Sequence, residues 1–122
     1  MSDTEAKKPV LSDNEREALE SLVKRLHAEY NGHIESVMLF GSKARGDFGP
    51  DSDIDVAVVL DNDDPHLRSD VRGTAADVSL EYDVLISVRA IGRSHWERIS
   101  HYRFPFYQSL ETDGIPLTGD SE

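Results

Sequence analysis

No cysteine occurs among the 122 residues. That excludes disulfides, thiolate metal sites and cysteine nucleophiles together. No run approaches the roughly 18 apolar residues of a membrane-spanning helix, and the polar start, Met1 to Lys8, has no apolar segment behind it. Neither a membrane span nor a secretory signal is expected. Aromatic residues are few, at 7%. Cations are few as well: 13 Lys and Arg stand against 24 Asp and Glu, a formal charge of −11. Nucleic-acid binding relies on Lys and Arg neutralising phosphates, so direct nucleic-acid binding is not expected. Such a surface favours solubility, metal ions and basic protein partners. A cytoplasmic location follows as the default expectation.

What is present is enough for one domain. A chain of this length buries roughly two-thirds of its unfolded surface, and 38% of its residues are hydrophobic. Residues 1–10 and 119–122 read as polar tails around a domain at 11–118. Ser12 and Glu15 form a capping-box signature. Leu19, Leu22, Val23 and Leu26 then recur at helical spacing, and Asn31-Gly32 is a stop signal, so a helix is expected over 13–30. Ile34 to Phe40 reads as a strand ended by Gly41, Ser42 to Gly46 as a short helix, and Ile54 to Leu60 as a second strand rich in β-branched residues. Phe48-Gly49-Pro50 breaks the chain between them.

Asp64 and Pro65 open a helix expected over 66–79. Tyr82 to Val88 reads as the third strand. Ser94 is the expected cap of a helix carrying Trp96 and Ile99. Pro105 starts a short helical piece, and Gly114 to Leu117 is a candidate edge strand. The aromatics from Trp96 to Tyr107 are expected in the core or at a partner surface.

The chemistry concentrates between Gly41 and Asp55. In a strand, residues two apart share a face, so Asp53 and Asp55 aim at one spot about 6.5–7 Å apart along it. Two carboxylates on one face repel unless a cation lies between them, and hard oxygen donors suit Mg²⁺ or Mn²⁺. A carboxylate at 55 also interrupts an otherwise apolar strand, which is costly without a purpose. Asp83 repeats the anomaly in the third expected strand. If that strand adjoins the second, three carboxylates converge, as two-metal phosphoryl chemistry requires. Gly41 allows close backbone approach to a ligand. Ser42 stands where free N–H groups attract phosphate, with Lys43 and Arg45 nearby; Arg45 can hold two phosphate oxygens at once.

Two competing motifs fail. Gly41 and Gly46 have P-loop spacing, but Asp47 and Phe48 stand where that loop needs Lys and Ser or Thr. Asp51, Asp53 and Asp55 begin like an EF-hand loop, but Val56 replaces the glycine and Asn62 the closing Glu.

On these residues the chain resembles the nucleotidyltransferase superfamily of DNA polymerase beta type. That signature is Gly-Ser, ten residues, then Asp-x-Asp, and here it is Gly41-Ser42, ten residues, Asp53-Ile54-Asp55. Gly-Ser-x-Ala-Arg-Gly-Asp with Ser-Asp-Ile-Asp is similar to the small MNT-type branch, and the resemblance covers roughly residues 12–117. It implies an α/β (α+β) fold, a mixed sheet flanked by helices. It implies Asp53, Asp55 and Asp83 as catalytic metal ligands for Mg²⁺ or Mn²⁺. Gly41, Ser42, Arg45 and Lys43 would bind the nucleotide, although position 43 varies in that family.

The activity implied is transfer of AMP from ATP to a tyrosine of a partner HEPN toxin. The protein would then be the antitoxin of that pair, in a hetero-oligomer. Two alternatives stand beside this. One is an antitoxin that acts by binding alone. The other is an aminoglycoside-type small-molecule nucleotidyltransferase that needs another subunit for its acceptor pocket.

Overall fold

A computed structural model describes residues 11–46 and 53–117. The element order is α1 (Asp13–Glu29), β1 (Ile34–Phe40), α2 (Ser42–Arg45), β2 (Ile54–Leu60), α3 (Pro65–Tyr82), β3 (Ile86–Ile91), α4 (Arg93–His101), α5 (Pro105–Asp113) and β4 (Ile115–Pro116). The strands form one four-stranded sheet in the order β3-β2-β1-β4. β1 is antiparallel to β2 and to β4, and β2 is parallel to β3. The sheet is therefore mixed, as expected. A βαβ crossover through α3 is what allows the parallel pair.

β2 is a central strand covered on both faces, which is why its sequence reads as a nearly unbroken apolar run. Val56, Val58 and Leu60 join the larger core with Leu19, Leu22 and Leu26 of α1 and Val71, Ala75 and Val78 of α3. Ala57 and Val59 point the other way, to a smaller core with Ile91 and Leu110, flanked by Met38, Phe40, Trp96 and Phe106. So α1 and α3 cover one face, and α4 and α5 the other. Leu22 is fully buried in the larger core, where truncation to Ala would cost about 2–5 kcal/mol.

The capping box at the start of α1 is present: Ser12 Oγ accepts from the Glu15 N–H at 3.1 Å, and Glu15 Oε1 accepts from the Ser12 N–H at 3.0 Å. Asp64 caps α3 through the His66 N–H at 2.9 Å, with Pro65 in the first turn. β4 is an edge strand at the expected place.

Three elements have boundaries that differ from the expectation. α3 runs on to Tyr82 rather than stopping near 79, and β3 spans Ile86–Ile91 rather than Tyr82 to Val88. The reason is tertiary. Arg25 of α1 pairs with Glu81, and the Asn14 side-chain amide donates to the Tyr82 carbonyl. Tyr82 itself packs against the larger core. α1 thus grips the last turn of α3, and nothing local to residues 79–83 announces that contact. The third difference is the cap of α4. Gly92, not Ser94, is its N-cap. The Ser94 N–H instead donates to Asp63 Oδ1 at 2.8 Å, and a Cβ on Gly92 would meet the same oxygen at 2.8 Å. The expected chain break at Phe48-Gly49-Pro50 lies outside the described residues.

Candidate active site

Asp55 is half-buried on the face that α4 and α5 cover, since it alternates with Ala57 and Val59. Its partner across β1 is Phe40, and its partner across β3 is Ser87. Asp53, exposed, lies two residues earlier at the mouth of the strand. Burial is the main cause that raises the Asp55 carboxyl above its usual range, and the Asp53 charge raises it further. Arg89 and Arg45 pull it back in part. The pair is therefore held in a state that a divalent cation would relieve.

Gly41 connects the turn to the carboxylates. It follows Phe40 directly and adopts φ 78°, a conformation that favours glycine. A Cβ there would lie 2.4 Å from Asp55 Oδ2. The backbone that opens α2 thus passes in contact with the carboxylate, with no room for a side chain between. Ser42 begins α2, whose first-turn N–H groups have no partner inside the helix. Gly46 closes α2 in the left-handed conformation. Phe40, Asp55, Ser87, Val88 and Arg89 line a recess of about 380 Å³ beside the pair.

Two expected site residues stand elsewhere. Lys43 is only 3% exposed, and its Nζ donates to Glu15 Oε2 at 2.9 Å. It ties α2 to the N-terminus of α1. Burial works against the Glu15 carboxylate, yet the Ser12 N–H and the Lys43 hydrogen bond and charge outweigh it and hold Glu15 below its ordinary range. Asp83 is not in a strand. It is the C-cap of α3, at φ 55°, and its N–H donates to the Ser79 carbonyl. Because β3 starts three residues later, the residue beside Asp55 is Ser87. Among the described residues, no group of three His, Cys, Asp or Glu side chains is placed to hold a metal ion. The expected convergence of three carboxylates reduces to the pair. Arg45 is exposed at the end of α2, close enough for its charge to act on Asp55.

No sequence motif singles out Arg89. Its guanidinium carbon lies 4.5 Å from the centroid of the Phe106 ring, and Phe106 meets Phe40 edge-on at 5.3 Å. Arg89 lies one residue beyond the strand expected from the sequence, so its alternation with Ser87 was hidden.

This chain belongs to the nucleotidyltransferase domain family, which it matches over residues 17–103. Two Methanocaldococcus jannaschii proteins, provisionally named protein adenylyltransferases, are similar in sequence. One is 46% identical over 50 residues, 41% of this chain and 50% of that protein. The other is 36% identical over 73 residues, 58% of this chain and 73% of that protein. The chain thus matches half the length of the first relative.

Solved structures share the fold. A chain of a toxin–antitoxin complex with AMP-PNP superposes over 84% of this chain and 74% of its own, with TM-score 0.54 and 23% identity. A chain of the complex between tri-AMPylated Shewanella oneidensis HEPN toxin and MNT antitoxin does so over 85% and 71%, with TM-score 0.51 and 20% identity. Spectinomycin adenyltransferase from Enterococcus faecialis, solved with ATP and spectinomycin, covers 88% of this chain and 57% of its own, with TM-score 0.63 and 12% identity. No helix among the described residues is long and apolar enough to cross a membrane.

Proposed function

We propose that this chain is a divalent-metal-dependent nucleotidyltransferase that moves AMP from ATP to a tyrosine hydroxyl of a partner protein. By likeness to the complex of an AMPylated HEPN toxin with an MNT antitoxin, the partner is a HEPN toxin; in this reading the transfer silences it, and the cytoplasm is the expected setting. The observation that carries this reading is the contact between Gly41 and Asp55, where a single Cβ would lie 2.4 Å from the carboxylate. It holds a phosphate-sized turn and an acidic pair against each other, which is what a triphosphate with its counter-cation needs.

In this reading Asp53 and Asp55 would hold Mg²⁺ or Mn²⁺, which supplies neutralisation of the triphosphate charge when bound. The Gly41-Ser42 turn receives the phosphates through backbone N–H groups and the Ser42 hydroxyl. Arg45 adds charge from the end of α2. The acceptor oxygen attacks the α-phosphorus and the bond to the bridging oxygen breaks. Pyrophosphate then leaves, and the hydroxyl proton passes to water. Positioning and charge carry the rate. Asp83 receives no role, because its place at the end of α3 does not group it with the pair.

The test is incubation of the purified chain with ATP labelled at the α-phosphate, Mg²⁺ and the protein encoded beside it. Label should appear on that partner, and Asp53→Asn or Asp55→Asn should abolish it. Label transfer unchanged in both variants would sink the assignment.

A further inference from the structure

Asp55 has two flanks, and the reading above uses one. β1 brings Gly41 and Ser42 to the first. The second is β3, which stands at the end of the sheet with β2 as its neighbour. Ser87 is in register with Asp55 and Arg89 with Ala57, so both share the Asp55 face. Leu85, just before the strand, falls in the same alternation. All three side chains are exposed, Leu85 to 61%. The recess lined by Phe40, Asp55, Ser87, Val88 and Arg89 therefore reaches from β1 across β2 to this edge.

The edge carries backbone groups as well as side chains. The Ile54 N–H donates to the Leu85 carbonyl at 2.9 Å, so Leu85 turns its backbone inward to β2. That direction alternates along a strand, so Ser87 and Arg89 also turn inward, while Ile86, Val88 and Ala90 turn outward. The Ile86 N–H is engaged, since it donates to Ser79 Oγ at 3.1 Å. Among the described residues, the N–H and C=O groups of Val88 and Ala90 have no backbone partner on that side. Edges are commonly blunted by a bulge, a proline or a lysine. β3 pairs with β2 without a register shift, and its sequence contains neither proline nor lysine. Its one charge, Arg89, is drawn over the Phe106 ring.

A strand added here would feed the site. Strands lie about 4.8 Å apart, so a residue paired with Ser87 would have its Cα about 10 Å from that of Asp55. Its side chain would fall on the Asp55 face, at the recess. A tyrosine spans most of that gap and brings its phenolic oxygen to the carboxylates. A serine or threonine hydroxyl, one bond beyond Cβ, stops short.

Resting on the proposed AMP transfer, we infer that the free edge of β3 docks the acceptor. Its occupant is an extended segment of the partner polypeptide that carries the acceptor tyrosine. The segment joins the sheet through the backbone groups of Val88 and Ala90. Its tyrosine pairs with Ser87 and enters the recess beside Asp55, and an adjacent side chain on the same face covers Leu85. Backbone pairing holds the segment whatever its sequence, and the distance to Asp55 selects tyrosine over shorter hydroxyls. The donor turn lies on the β1 flank, so the two substrates approach Asp55 from opposite sides.

The probe is a short peptide of alternating threonine and valine around one tyrosine. Beside it stand two copies N-methylated on alternate amides, one in each phase, because only every second amide of an added strand faces β3. Amide hydrogen exchange of the full chain is followed without nucleotide. The parent peptide should slow exchange at Val88 and Ala90 at least about threefold, and one methylated phase should lose that protection while the other keeps it. With ATP labelled at the α-phosphate and Mg²⁺, the parent should accept label. The same methylated phase and a serine-for-tyrosine copy should each accept at least about tenfold less. Ala90→Pro removes an outward N–H, where edge strands tolerate proline. Folded by its melting curve, it should raise the KM for the peptide and leave the KM for ATP unchanged. No protection by the parent, the two methylated phases behaving alike, or an unchanged peptide KM in folded Ala90→Pro overturns the edge. Equal labelling of the serine copy overturns the selection of tyrosine by distance. Protection as expected, with no label on the peptide or on the protein encoded beside this chain, overturns the transferase reading and leaves the docking edge standing.

Discussion

The two flanks of Asp55 are built by different means. The β1–α2 flank is contiguous in the chain: Phe40, Gly41 and Ser42 pass from strand to turn to helix within three residues. The β3–α5 flank is assembled from distant parts. Ser87 and Arg89 come from a parallel strand, and Phe106 from a helix beyond the next hinge. A flank made by one local turn tolerates little substitution, because backbone geometry is its function. A flank made by packing leaves each contributor with separate work, so individual changes there should alter affinity before chemistry.

The largest effect should fall on the carboxylates that both flanks share. Asp53→Asn and Asp55→Asn should each lower label transfer by about a thousandfold or more. Asp55→Asn should also raise the melting temperature of the metal-free protein slightly, by at most about 1 kcal/mol of stability, since a half-buried carboxylate beside another is removed. A lower melting temperature would show that Asp55 supports the fold.

Gly41→Ala comes next, because its Cβ would lie 2.4 Å from Asp55 Oδ2 at φ 78°. Loss of about 2–3 kcal/mol of stability and roughly a hundredfold of transfer is expected, read by denaturant melts and labelled ATP. Near-wild-type transfer would mean that the turn need not touch the carboxylate.

Lys43→Met should cost about 2 kcal/mol, as it leaves Glu15 partly buried without its cation. Transfer by the folded fraction should be retained, and a specific rise in the KM for ATP would return Lys43 to the nucleotide site. The same pair has a pH signature. Glu15 lies below its ordinary value of 4.5 in the folded state, so its contribution is complete above that pH and lost as pH falls through the folded value. Glu15→Gln should flatten that part of the acid limb in melts against pH.

The smallest effect should be at Asp83. Asn tolerates the left-handed conformation about as well, so Asp83→Asn should change both stability and transfer by less than about 1 kcal/mol. Loss matching that of Asp53→Asn would restore a three-carboxylate centre.

Local signals carried far in this chain. The capping box, the apolar stripe of α1, the β-branched run of β2 and the glycine after Phe40 each act within a few residues, and each stands at its expected place. The Gly-Ser and Asp-x-Asp elements were legible for the same reason. Strand pleat and turn chemistry are set by nearest neighbours. The end of α3 was not legible, because Arg25 and Asn14, far upstream in the chain, decide it. That displacement moved Asp83 out of the strand, and the parallel register with β2 set Ser87 beside Asp55 with Arg89 on the same face.

Lys43 shows the same limit from the other side. Its charge beside a Gly-Ser turn reads as a phosphate ligand until the fold brings Glu15 to it at 2.9 Å. Residue type and spacing thus placed the Gly-Ser turn at the end of β1 and the acidic pair at the start of β2. Which side chains share a face with it depended on helix–helix contacts and parallel strand register, and those are long-range terms that no short stretch of the chain contains.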